Sequence, residues 1–188
     1  IAKTDLKTAN LGGGVTSTTS RGVMTANGAN WNWATGQLTA EGKVTANGND
    51  VNIEGQHLSA DTNAHLVTVT GDVTAKSAKG TATASKVLYS WDSGKLTATG
   101  DVRLQGKGAT VNAPRIDTTK AMDEATASGG VHVQRGEMNV QADNATVTKI
   151  GDNAFAVTGN GAVKVQNPQG WAKANHASWK NNQIIANG

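Results

Sequence analysis

Cysteine is absent from the 188-residue chain, which excludes a disulfide framework and any thiolate metal site. Only two residues are proline, and aromatic side chains make up 4% of the chain, too few to fill a thick globular core of this length. No apolar run approaches the roughly 18 to 20 residues that a helix needs to span a bilayer. A large charge excess is missing too. The net charge of +3 is too small to point to nucleic acid without a basic, aromatic-bearing surface beside it, so nucleic acid is not an expected partner. Anionic lipid and glycan stay open.

What the chain has is glycine, 23 residues of it, among abundant Thr, Asn, Val and Ala, a composition that favours strands over helices. It also has a period. Gly42, Gly71, Gly100 and Gly129 stand 29 residues apart and open GKVTA, GDVTA, GDVRL and GGVHV. Gly13 opens an earlier copy and Gly161 a later, altered one. Self-similarity at such a period marks a stacked array, so residues 1–188 are expected to form one repeat domain whose function belongs to the array.

Each copy alternates apolar and polar residues over two strands. In the fourth, Leu96, Ala98, Gly100, Val102 and Leu104 share one face, and Lys95, Thr97, Thr99, Asp101 and Arg103 share the other. After a turn, Ala109, Val111 and Ala113 resume the apolar face, until the phase slips at Pro114 and Ile116 follows at a spacing of three. Such a slip indicates a bulge or bend that would curve the sheet at one height in every repeat. The connections are of hairpin length, so the simplest fold is all-β, an antiparallel meander of about twelve strands that bends until its apolar face meets itself. A parallel β-helix is the rival topology.

The apolar face runs through every copy as Leu38, Val44, Ile53, Leu58, Val73, Val87, Leu96, Val102, Leu104, Val111, Ile116, Val131, Val133, Val140 and Phe155. It can bind apolar chains without directional constraint, or it can be a core sealed by its own side chains. The turns after the GxV strand carry Arg21, Lys76, Lys79, Lys107 and Arg135, which stacking would align along one rim. These cations suit phosphates, and they equally suit a solvated turn that discourages edge aggregation. The strand-like Gln183, Ile184, Ile185 and Ala186 would offer an open edge to another sheet.

Other chemistry is poorly supplied. His57, His65, His132 and His176 show no metal-ligand spacing, and Asp123 with Glu124 reads as a solvated turn. The Gly12–Gly14 run lacks the Lys-Ser/Thr of a phosphate loop. No enzyme, metal or cofactor is expected. Trp33, Trp91 and Trp179 lie near the distal turns, where they suit sugar stacking or closure of a groove, and Trp31 suits the end of a core. Aromatic platforms beside Asn-rich turns also suit the alternative class, a β-helical surface adhesin or glycan-binding structural protein.

The unit L-x-A-x-G-D/N-V, followed by a hairpin, a second strand of the form A-x-x-L-x-Y and a turn, resembles the OstA/LptA/LptC family of periplasmic lipopolysaccharide-transport proteins. The clearest stretch is GDVTAKSAKGTATASKVLYSWDSGKLTATGDVRL, from Gly71 to Leu104. The resemblance implies an elongated antiparallel β-jellyroll, or β-taco, of V-shaped strands. It further implies acyl chains of lipopolysaccharide carried in the apolar groove between inner and outer membrane, and head-group phosphates at the cationic rim. Implied partners are lipopolysaccharide, other Lpt-type jellyrolls paired edge to edge, and copies of the chain itself, head to tail. The implied location is the periplasm of a diderm bacterium. The start at Ile1 suits removal of a signal or of an inner-membrane anchor.

Overall fold

A computed structural model describes residues 7–19, 22–48, 51–78, 80–106, 108–118, 124–149, 155–180 and 183–187. These residues form thirteen strands in chain order. The first six are β1 (Thr8–Thr19), β2 (Gly22–Asn32), β3 (Gln37–Gly48), β4 (Val51–Asp61), β5 (Leu66–Ser77) and β6 (Gly80–Ser90). The others are β7 (Lys95–Gly106), β8 (Ala109–Thr118), β9 (Glu124–Arg135), β10 (Met138–Lys149), β11 (Phe155–Asn167), β12 (Gly170–Lys180) and β13 (Gln183–Asn187). They gather into two compact units, Ile1–Ser93 with β1 to β6 and Gly94–Gly188 with β7 to β13. Within each unit every strand pairs antiparallel with the next, so a parallel β-helix is ruled out and the jellyroll meander holds. The short β13 brings the expected twelve strands to thirteen.

Within each unit every long pairing breaks register at mid-strand. Opposite Pro114 in β8, β7 carries two residues, Gly100 and Asp101, between the pairs Thr99↔Arg115 and Val102↔Ala113. The same two-against-one count sets Gly13 and Gly14 against Asn27, Gly71 and Asp72 against Ser85, and Gly161 and Ala162 against Asn175. Both residues of the longer side adopt positive φ, for example 84° at Gly71 and 48° at Asp72. The phase slip at Pro114 is therefore a real bend, and the extra residue sits on the strand across from it. Proline fits its place because a bulge leaves a ladder position without a bond to donate.

The bend decides what is buried. Of the interior face, Val44, Val73, Val102, Val131 and Val163, each second after a bend glycine, are sealed, with Val102 only 1% exposed. Alanines pack around them from both sides of the bend, such as Ala40, Ala98, Ala113 and Ala127. Small residues are needed here because two arms of one strand converge at the apex, which explains an Ala-rich face in a chain poor in large side chains.

Successive distal turns stack on one another in the first unit. The Thr62 N–H donates to the Gly36 carbonyl (2.8 Å) and the Trp91 N–H to the His65 carbonyl (3.1 Å). Asn32 and Asp61 each hold their own turn: the Asn32 side-chain oxygen accepts from Ala34 and Thr35, and Asp61 accepts from Asn63 (3.0 Å) and Ala64 (2.8 Å). Gly36, at φ 69°, must be glycine, because a Cβ there would come within 2.6 Å of the Thr62 hydroxyl in the turn stacked on it.

Candidate functional site

The apolar stripe separates by depth. In the first unit Val44, Leu58 and Val73 are buried, and Leu38, Ile53 and Val87 pack against them while half-buried. In the second, Val102, Ile116, Val131 and Val133 are buried, whereas Leu96, Leu104, Val111 and Val140 remain half-buried. Burial is thus greatest at the bend and falls along each arm. Phe155 begins β11, but its side chain lies outside the described residues. The interior combines a sealed apex with arms whose apolar surface is partly open.

One contact measures how close the arms come. Arg135 ends β9 beside the turn that returns to Met138, whereas Trp179 lies near the opposite end of β12, paired with Val157. Straight strands would hold these ends about 25 Å apart or more along the strand direction. The Arg135 guanidinium nevertheless lies over the Trp179 ring, 4.8 Å from its centroid. Folding of the arms toward each other accounts for this approach, and a cation–π contact holds it. Arg135, one of the five cations expected along a rim, here bridges the two lips. Lys76 is exposed at the end of β5 in the first unit, and Arg21, Lys79 and Lys107 lie outside the described residues.

The tryptophans divide in the same way. Trp33 and Trp91 lie at the distal turns as expected, and Trp91 stacks on His65 with centroids 5.6 Å apart. Trp31, expected to fill an end of the core, is instead largely exposed, because it sits on the arm of β2 far from the bend. Trp171 at the start of β12 is 66% exposed and lies beside Lys173.

Titratable groups serve the outer face. Arg115 forms an ion pair with Asp117 (2.6 Å), and Thr97 donates to the same carboxylate (2.6 Å). The Arg115 bonds lower the Asp117 pKa against some desolvation and raise that of Arg115. The turn amide of Ala64 and the Gln37 side chain lower the pKa of Asp61. His65 pairs with Asp92 (2.6 Å) and His176 with Asn160 (2.8 Å), so these two histidines have structural partners. Among the described residues no group of three His, Asp or Glu side chains is arranged to hold a metal.

Residues 111–186 match the family model of the LptA/(LptD N-terminal domain) LPS transport protein. No curated protein matches the chain. A similar solved structure is that of LptH, the LptA homologous periplasmic component of the conserved lipopolysaccharide transport device from Pseudomonas aeruginosa. It is 11% identical, with a TM-score of 0.49, and the match covers 52% of this chain and 75% of that one. Residues 111–186 are OstA/LptA-like by the family model, and the glycine-led repeat they carry also runs through the residues before them.

Proposed function

We propose that this protein carries lipopolysaccharide through the periplasm, holding the acyl chains between the arms of its bent strands. The observation that carries the reading is the gradient of burial inside the bend. Apex valines close the floor, while Leu38, Ile53, Leu96, Leu104 and Val140 stay half-buried and keep part of their apolar surface exposed. Covering such surface with acyl chain gains about 25 cal/mol per Å² and is indifferent to position along the stack, as sliding cargo requires. Carriage, not catalysis, is the activity this interior suits. The match of residues 111–186 to an LPS transport family supports the choice of lipid.

Partners of similar fold would join at strand edges. In β13 all five residues are exposed, with Ile185 at 58%, and β13 pairs only with β12 among the described residues. Unpaired backbone groups beside exposed isoleucines suit β-augmentation by another sheet or by a second copy of this chain. Native mass spectrometry of the purified chain with lipopolysaccharide tests the cargo. One bound lipid that is displaced by free fatty acid supports the reading, and binding that is insensitive to fatty acid contradicts it.

A further inference from the structure

The outer face of the second unit differs from that of the first in a way that the groove does not explain. On the arm that runs from the bend to the proximal turns, one outward row crosses six strands as Arg103, Asn112, His132, Gln141, Lys164 and Lys173. The next row toward the lip carries Gln134, Asn139 and Gln166 and ends on Trp171. In the first unit the first of these rows reads Thr16, Thr25, Thr45, Glu54, Thr74 and Thr83, hydroxyls and one carboxylate in place of the cations and amides. At the start of β12 the sequence is Gly-Trp-Ala-Lys, where β6 has Gly-Thr-Ala-Thr.

Three properties set this surface apart. Lys164 and Lys173 lie directly opposite each other on neighbouring strands, a like-charge pairing that destabilises a sheet. Among the described residues neither lysine has a carboxylate in ion-pair contact, and the two rows contain no Asp or Glu. Asn112, His132, Gln134, Asn139, Gln141 and Gln166 line one shallow concavity, amide-rich where the matching concavity of the first unit is lined by Thr16, Thr25 and Thr45. Trp171, among the most exposed large side chains, stands at the end of the array with the Lys173 ammonium 5.7 Å from its ring centroid.

We infer that this outer face binds the phosphorylated oligosaccharide of the lipid whose acyl chains occupy the groove. The chemistry matches group by group. Amides in a concavity exchange hydrogen bonds with sugar hydroxyls, an exposed indole packs on a sugar face, and unpaired cations meet phosphates. A phosphate between Lys164 and Lys173 also removes their repulsion. Placement favours the same molecule over a separate glycan: the row with Trp171 lies next to the proximal turns, and Leu104, Val111, Val133 and Val140 face the groove from the same arm. A sugar chain leaving the mouth needs only to pass the lip to reach it. This inference rests on the lipid-carrier reading for its choice of sugar.

The test uses the whole chain and two separate probes. Fully deacylated, phosphorylated oligosaccharide released from lipopolysaccharide reports on the outer face alone, by NMR shifts and calorimetry, and a fluorescent fatty acid reports on the groove alone. Binding of the oligosaccharide is expected to weaken about tenfold in K164Q/K173Q and on removal of the phosphates. Trp171→Ala should weaken it about threefold or more. Thr81→Ala with Thr83→Ala, at the matching places of β6, should leave it unchanged, and all three variants should take up the fatty acid normally. Failure of the oligosaccharide to bind while the fatty acid still binds overturns the outer-face site and leaves the groove standing. Binding that ignores both the phosphates and the lysines overturns it in favour of a neutral glycan. Failure of the fatty acid alone counts against the groove and not against the outer face.

Discussion

At the scale of single residues, the fold depends on backbone conformations that side chains normally avoid. Gly71 has φ 84°, and a Cβ there would come within 2.6 Å of Gln56, so Gly71→Ala combines left-handed strain with a clash. We expect it to lower unfolding free energy by about 1 to 3 kcal/mol in denaturant titrations. Asp72, its neighbour, already accepts φ 48° as a non-glycine, which shows how strongly the paired strands fix the bend. Acidity acts on the same scale. The folded pKa values of Asp61 and Asp117 lie below their ordinary value, so the stabilisation is present above the unfolded pKa and is lost as pH falls through the folded one. Stability should therefore decline below about pH 4, and Asp117→Asn should flatten that decline in thermal melts taken across pH.

At the scale of elements, each strand has an apex that is sealed and arms that, in the proposed function, hold the cargo. Val102→Ala removes two methyl groups from a sealed position and should destabilise by about 2 kcal/mol. Leu104→Ala, on the half-buried arm two residues further, should cost less stability and weaken acyl binding more, as read by fatty-acid displacement. Much of this was legible in the sequence. The 29-residue spacing of glycines located the repeats, period-two alternation located the interior face, and the slip between Ala113 and Ile116 marked the corner from the far strand. The extra residue itself was harder to find, because Gly100 keeps the parity of the alternation and so hides the insertion. Depth was also hidden. Val102 and Leu104 read alike as apolar residues on one face, and only the convergence of the arms separates floor from wall. The Arg135–Trp179 contact joins residues 44 positions apart and depends on the angle of the bend, which periodicity does not encode.

At the scale of the molecule, repetition extends the bend into the conduit that the proposed function requires. In each unit an apex valine recurs on every second strand, with a small residue such as Gly55, Ala84, Ala113 or Ala174 opposite it on a neighbouring strand, so the apolar floor repeats along the strands of each unit. Where Arg135 spans the lips of the second unit, the mouth is held by a cation–π contact, which a lipid entering as proposed must either keep or break. Arg135→Ala should leave the melting temperature nearly unchanged and raise the acrylamide quenching of Trp179, measured in a background where the other four tryptophans are phenylalanine. Unchanged quenching would mean that the lips stay closed without it.

The most direct test of the carrier reading places a photo-crosslinking amino acid at Leu96 or Leu104 inside the bend, and at Thr97 outside it, in diderm cells making lipopolysaccharide. Lipopolysaccharide adducts at Leu96 and Leu104, with none at Thr97, are the predicted result. Adducts at Thr97 alone, or none at either interior position, would contradict it and leave the interior a sealed core.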